Sequence, residues 1–255
     1  MFLGIDLAAD PRRTGLAALR ESGGTVLVEQ VRVGADDALI VETVEVADYV
    51  GIDVPLGWPQ RFVDLLSLHA AGTLPAPAST GPEWRRDLAM RATDREVHRR
   101  TGLTPLSVST DRIAHPALRW AGIEAHLRES GIDTARDGSG RLAEVYPAAA
   151  LRCWSLPHRG YKGAANLGPR TELVAALSRA LPWLDWNGHR EHCTTDDDAV
   201  DAVLAALIAR EVHLGRTQAP PPELRGTARL EGWIHLPPQP VSRSPSAPDP
   251  SPDLS

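Results

Sequence analysis

The stretch Phe2-Leu3-Gly4-Ile5-Asp6-Leu7-Ala8 decides the fold that we expect, because a short apolar run meets an acid there. The same pattern returns in Val50-Gly51-Ile52-Asp53-Val54-Pro55 and in Leu142-Ala143-Glu144-Val145-Tyr146-Pro147. Each run predicts a buried strand. Burying an ionised carboxylate is costly unless the group is paired or ligates a metal. Repeated acids at strand ends therefore predict a shared cation.

The pattern around these runs predicts an α/β fold. Residues 2–8, 14–20 and 25–33 follow one another as strands, with a Gly-containing turn at 21–24, which indicates an antiparallel meander. A fourth strand, 49–54, is apolar up to its acid and stops at a proline, so we place it inside the sheet. Further strands are predicted over 141–146 and 231–236, and helices over 36–47, 59–71, 83–100, 115–130, 147–154, 169–181 and 196–213.

Length and composition predict one domain. With 255 residues and 42% hydrophobic side chains, the chain can form one sizeable core, which we assign to residues 1–236. Residues 72 to about 114 interrupt the alternation of strands and helices, and we expect this mainly helical insertion to cap the carboxyl edge of the sheet. Residues 237–255 are rich in Pro and Ser, and this composition predicts a disordered tail.

Cysteine content and charge restrict the setting in which the protein works. Cys153 and Cys193 are too few for a disulfide framework, which favours a reducing cytoplasm. The first residues lack a basic region, so they predict a strand rather than a signal peptide. No apolar stretch reaches the roughly 20 residues that a membrane span needs. The net charge of −6 argues against a protein that coats nucleic acid by charge alone, but a local basic groove is compatible with it.

The predicted helix over 196–213 carries further candidate site residues. Asp198 and Asp201 are three residues apart and therefore share one face of this helix. Asp201 lies beyond the first turn among apolar residues, which favours a functional role. Asp196 and Asp197 lie at the helix start, where acids commonly cap free N–H groups.

Candidate phosphate-binding residues lie mostly in the insertion. Arg95 and Arg112 offer guanidinium groups, and Ser109 offers a hydroxyl that can share phosphate oxygens. Lys162 is the only lysine of the chain and offers a mobile point charge. The competing interpretation is that the arginines form a solvated helix face and that Lys162 is an ordinary surface residue.

Other polar or aromatic residues have structural interpretations. Glu144 has an alternative as the ion-pair partner of Arg141 or Arg152. The H-x-x-H-C group from His189 to Cys193 invites a zinc interpretation, but no second half with matching spacing exists, so a loop is favoured. Five tryptophans are expected in the core: Trp120, Trp154, Trp183, Trp186 and Trp233.

Several dispersed motifs together resemble a known family. They are Gly4-Ile5-Asp6, Gly51-Ile52-Asp53-Val54-Pro55-Leu56-Gly57, Glu144-Val145-Tyr146-Pro147, Tyr161-Lys162-Gly163, Asp198-Ala199-Val200-Asp201-Ala202 and Glu231-Gly232-Trp233-Ile234. In this order, over residues 2 to about 236, they are similar to the family catalogued as domain of unknown function 429, described as predicted ribonuclease H-like nucleases. The resemblance implies a ribonuclease H-like mixed sheet, with a three-stranded antiparallel meander plus parallel strands, flanked by helices.

The resemblance also implies a reaction. We expect a nuclease that hydrolyses phosphodiester bonds of DNA or RNA by a two-metal mechanism with Mg²⁺ or Mn²⁺. Asp6, at the centre of the sheet, would bridge the ions, and Asp53 and Glu144 would hold one each. Asp198 or Asp201 would complete the site, since their spacing is similar to that in the closing helix of Holliday-junction resolvases.

Two other functions stay open at this point. The segment from Gly4 to Gly15 loosely resembles the first phosphate hairpin of the actin and sugar-kinase superfamily, which would indicate a nucleotide phosphotransferase or phosphohydrolase. Those enzymes need two lobes and a second phosphate loop, for which 255 residues without a repeat leave little room. The other alternative is a non-catalytic module that binds nucleic acid or protein. Metal-dependent turnover would separate an enzyme from such a module.

Overall fold

Six strands form one mixed sheet in the structure of the protein, a computed structural model that describes residues 1–238. The strands are β1 (Phe2–Asp6), β2 (Gly15–Ser22), β3 (Thr25–Val33), β4 (Tyr49–Ile52), β5 (Leu142–Glu144) and β6 (Leu184–Asp185). In space they lie in the order β5-β4-β1-β2-β3-β6.

The pairing of the strands confirms a mixed α/β sheet. Strands β1, β2 and β3 pair antiparallel, as the predicted meander requires, while β4 pairs parallel to β1 and β5 parallel to β4. Ile5 of β1 is in register with Ile52 of β4, and the amide of Asp53 donates to the carbonyl of Ile5 at 2.8 Å. Because the two strands run the same way, Asp6 and Asp53 emerge side by side at one edge of the sheet.

Helices cover both faces of the sheet. The helices are α1 (Asp37–Val46), α2 (Gln60–Ala70), α3 (Pro82–Ala89), α4 (Ala92–Thr101), α5 (Ala114–Glu129), α6 (Pro147–Cys153), α7 (Leu167–Ala180), α8 (Arg190–Thr195), α9 (Asp197–His213) and α10 (Arg225–Glu231). Side chains of a strand alternate between its faces. Phe2 accordingly packs in the core that contains α9, whereas Leu3 and Ile5 pack in a second core with residues of α1 and α5.

Glycines in the strands let α9 approach the sheet closely. A Cβ atom added to Gly4 would lie 2.0 Å from the carbonyl oxygen of Ala202, and one added to Gly51 would lie 2.4 Å from that of Ala205. Only glycine fits at these two positions, since a side chain would collide with the helix backbone. Asp6 and Asp53 each lie two residues after one of these glycines and therefore on the α9 side of the sheet.

The chain end and the insertion differ in detail from the prediction. The strand predicted over 231–236 is wrong: Glu231 ends α10, Gly232 turns the chain at φ +89°, and only Ile234 forms a parallel bridge, to Glu144. The neighbouring backbone groups bond to several separate partners, so no ladder develops. The helix predicted over 83–100 is two helices, because Met90 is extended.

The structure confirms several predicted helices and the predicted burial of the tryptophans, and it adds one strand that was not predicted. The predicted helices over 36–47, 59–71, 115–130 and 196–213 correspond to α1, α2, α5 and α9. The five tryptophans expected in the core are buried. Strand β6 was not predicted, because two residues are too few to show a periodicity. None of the helices within residues 1–238 has the length and apolarity needed to cross a membrane. From residue 239 onward, the predicted tail lies outside the described residues.

Candidate functional site

Three of the predicted site residues meet at the carboxyl edge of the sheet. Asp6 ends β1, Asp53 follows β4, and Asp201 lies in the second turn of α9. Each contributes a carboxylate oxygen to a group whose members lie within 4.8 Å of one another. The glycine contacts described above set this separation, since they fix how near α9 comes to the two strands.

Asp201 is the acid whose hydrogen bonds are already satisfied. The Tyr161 hydroxyl donates to its Oδ1 at 2.8 Å, and the Lys162 ammonium lies 2.6 Å from its Oδ2. Asp201 is buried, whereas the Lys162 side chain is about half exposed. Burial raises the pKa of Asp201, and the charge of Lys162 opposes this shift.

Asp6 and Asp53 are half-buried, and no donor from the described part of the chain reaches their carboxylates. Both line a cavity of about 500 Å³. Burial, together with the negative charge of Asp201, raises the pKa of Asp6 well above its ordinary value. Burial raises the pKa of Asp53 to about 7, against the opposing charge of Lys162. Two carboxylates that lack donors and repel a third are well suited to receive a cation.

The loop that carries Tyr161 and Lys162 is held by one buried arginine. The Arg170 guanidinium donates to the carbonyls of Tyr161 and Gly163 at 2.8 and 3.1 Å. It also donates to the carbonyls of Thr194 and Thr195, at the end of α8, at 2.8 and 2.9 Å. Arg170 therefore fixes this loop relative to the chain segment that leads into α9 and Asp201.

Glu144 lies beside the group but is engaged in a buried ion pair. Arg91 approaches both of its oxygens at 2.7 Å, and the amide of Leu56 donates to Oε2 at 3.0 Å. Arg91 also pairs with Asp94 at 2.8 Å. The partner is thus neither Arg141 nor Arg152, the two arginines considered from the sequence. A direct metal-ligand role for Glu144 would require this ion pair to open.

Of the two acids on the predicted D-x-x-D face, Asp201 belongs to the three-carboxylate group and Asp198 does not. The Asp198 carboxylate pairs with Arg13, with Nε at 2.5 Å from Oδ2. Asp196 caps α9 by accepting from the amide of Asp198 at 2.9 Å, as the helix-start interpretation predicts. Asp196, Asp197 and Asp198 form a second acidic group at this helix start.

A comparison with protein-family models places the chain in a family. The model described as "Protein of unknown function (DUF429)" matches residues 4–225. The chain belongs to this family. Searches of curated proteins and of solved structures give no match. The resemblance drawn from the dispersed motifs is therefore confirmed as far as membership of DUF429 is concerned.

The phosphate-binding candidates of this DUF429 protein lie in different places. Lys162 and Arg112 line the cavity with the acids. Arg95 pairs with Asp87 at 2.9 Å and lines a separate surface pocket. Ser109 does not line the cavity, and its buried hydroxyl has no partner in the described residues.

Sequence patterns missed several residues that line the same cavity. Tyr146, His158 and Arg159 line it together with Lys162. Tyr161 lies in one of the family motifs, and its pattern predicts no role for it, although its hydroxyl holds Asp201. Adjacency to Lys162 was the one available signal, and it does not show which acid the tyrosine meets.

The zinc interpretation has no support in the described residues of this DUF429 protein. His189, His192 and Cys193 do not bring ligand atoms together as the two acidic groups do. Cys193 is fully buried in the core with α9. Burial raises the pKa of its thiol to about 12, which disfavours the thiolate that a metal requires.

Proposed function

We propose that this DUF429 protein hydrolyses phosphodiester bonds of nucleic acid with the help of Mg²⁺ or Mn²⁺. The convergence of Asp6, Asp53 and Asp201, the first two of which line the cavity, carries the proposal. The sheet order, an antiparallel meander followed by parallel strands with acids at their ends, supports the ribonuclease H-like assignment that the sequence motifs imply.

The residues present suit a hard divalent cation. Carboxylate oxygens are the ligands that Mg²⁺ and Mn²⁺ prefer. Three ionised carboxylates beside the Lys162 ammonium would leave two negative charges, which one divalent ion neutralises. When bound, such an ion activates water and stabilises charge that develops on the phosphate. A second ion would need a further ligand, and Glu144 supplies it only if Arg91 releases it.

The remaining cavity residues supply binding and positioning. Lys162 is half exposed, so its ammonium can contact a phosphate oxygen while it stays near Asp201. Arg112 and Arg159 line the same cavity and offer guanidinium donors to a phosphate. Tyr161 and Arg170 keep Asp201 and the lysine loop in place. These cations let an acidic protein attract a polyanion at the cavity.

A cleavage assay on the whole chain tests the proposal. Labelled single-stranded, duplex, hybrid and junction substrates are incubated with Mg²⁺, with Mn²⁺ or with chelator. We expect metal-dependent cleavage that Asp6→Asn lowers by roughly two orders of magnitude or more, since metal ligation supplies several kcal/mol of charge stabilisation.

The matched control is Glu42→Gln, which removes one negative charge from an exposed position on α1, outside the cavity. This variant should cleave like the wild type. Cleavage that persists in chelator, or that Asp6→Asn leaves unchanged, would contradict the metal-site proposal. Turnover of none of the substrates would favour the non-catalytic binding module instead.

A further inference from the structure

The lining of the cavity combines two chemical classes of residue. One class is charged and includes Asp6, Asp53 and Lys162. The other class, called the apolar wall here, comes largely from the predicted insertion and from the segment that follows β5. Its members include Leu103, Pro105, Leu106, Ile113, Tyr146 and Ile234.

The apolar wall is accessible to a ligand. Leu106 is 46% exposed although it lines the cavity. Tyr146 is half-buried, and its hydroxyl finds no hydrogen-bond partner within residues 1–238. Apolar and aromatic side chains beside a few convergent charged groups are typical of pockets that enclose small ligands.

The size of the cavity suits one nucleotide better than a double helix. About 500 Å³ lies within the range of pockets that bury ligands of the size of a nucleotide. A base within a duplex is stacked and paired, and it reaches such a pocket only after leaving the stack. An unpaired base pays less of this cost and can stack on an aromatic side chain.

We infer that the site binds its substrate through one unpaired nucleotide, with the base against the Leu106 and Tyr146 wall and the phosphate at Asp6, Asp53 and Lys162. This inference rests on the proposed hydrolysis of phosphodiesters and specifies its substrate as a single-stranded segment or strand end. The insertion then contributes the surface that holds the base, because residues 103–113 supply much of the wall.

An equilibrium titration tests base recognition without requiring turnover. The whole protein with Mg²⁺ is titrated with a nucleoside 5′-monophosphate and with ribose 5-phosphate, which lacks the base. We expect the nucleotide to bind roughly tenfold more tightly, as stacking of one base on an aromatic side chain would give. Equal affinities would overturn the inference.

Two leucine variants show which surface the base contacts. Leu106→Ser should weaken nucleotide binding about fivefold, because part of a leucine contact is lost, and should leave ribose 5-phosphate binding unchanged. The matched control is Leu118→Ser, a 62% exposed leucine on α5 outside the cavity, which should change neither affinity. An equal loss in both variants would overturn the assignment of the wall.

A cleavage comparison separates failure of this inference from failure of the proposed function. The same strand is offered single-stranded, in a blunt duplex, and single-stranded with one abasic position. Preference for the intact single strand supports the inference. Cleavage of all three substrates at equal rates would overturn the inference of an unpaired nucleotide but would agree with the proposed hydrolase function. Base-dependent binding without metal-dependent cleavage of any substrate would overturn the proposed hydrolase function but would agree with a nucleotide-binding pocket.

Discussion

Replacing Asp53 by asparagine should stabilise the metal-free protein at neutral and alkaline pH. Asp53 is half-buried, accepts no hydrogen bond from the described residues, and lies beside Asp6 and Asp201. Its pKa is raised from the ordinary 3.8 to about 7, with burial as the largest cause. Asparagine keeps the shape of the side chain and removes the charge that this environment disfavours.

The direction of this change in stability follows from the numbers of protons that the folded and unfolded states bind. Between pH 3.8 and about 7 the folded protein holds a proton on Asp53 that the unfolded chain has released. The free energy of unfolding of the wild type therefore falls as pH rises through this window. The raised pKa corresponds to at most about 4 kcal/mol above pH 7, because solvent screens part of the charge of a half-buried carboxylate. Asp53→Asn has no such titration, so its free energy of unfolding should equal that of the wild type near pH 4 and exceed it most above pH 7.

Urea unfolding in chelator between pH 4 and 8 measures this difference. Glu42→Gln, an exposed change of the same charge, should follow the wild type across the range. With Mg²⁺ or Mn²⁺ at 100 times the dissociation constant the wild type gains about 2.7 kcal/mol, which narrows the difference, and at 1,000 times it gains about 4.1 kcal/mol, which is enough to reverse the order. If Asp53→Asn is less stable than the wild type in chelator at pH 8, Asp53 is part of a structural network and the reasoning is refuted.

Two further changes test how the edge of the sheet is built. Arg91→Met should lower the free energy of unfolding by about 3 to 5 kcal/mol, because it leaves Glu144 as a buried charge without its partner. Arg95→Met, which breaks an exposed pair with Asp87 and a long hydrogen bond to the Met90 carbonyl, should lower the free energy of unfolding by under about 1 kcal/mol. Equal losses for Arg91→Met and Arg95→Met in urea unfolding would contradict this account. Gly4→Ala should destabilise the fold by about 1 to 3 kcal/mol or more and lower metal affinity, since its Cβ would collide with the backbone of α9. Gly122→Ala, in an open helical position, should instead stabilise by about 0.5 to 1 kcal/mol, and thermal melts that show the same sign for both would refute the close-approach argument.

Local pattern was sufficient for the sheet centre and for naming its three acids as candidates. Apolar runs that end in an acid predicted β1 and β4, and their parallel pairing then brings Asp6 and Asp53 together. The apolar surroundings of Asp201 favoured a functional role for it on a buried helix. These features are visible in the sequence because strand and helix periods, and the cost of burying a charge, depend on neighbouring residues.

Only the tertiary structure decided which partner each charge has. Asp198 and Asp201 share a helix face in the sequence, yet Arg13 pairs with the first and Tyr161 with Lys162 holds the second. Glu144 ends a strand as the other acids do, but its partner Arg91 comes from the insertion. The contacts of a side chain across 40 to 185 residues depend on how the elements pack, and no local period encodes that distance.

The dependence on tertiary packing also explains why two elements were not predicted correctly from the sequence. The segment over 231–236 has strand-like composition, but Glu231 closes α10 and the following residues bond to several different neighbours. Strand β6 consists of two residues whose ladder exists only because β3 passes beside them. Pattern determined what the sheet centre and its acids are; packing of α9 and the insertion determined which acids stay without a donor and face the cavity.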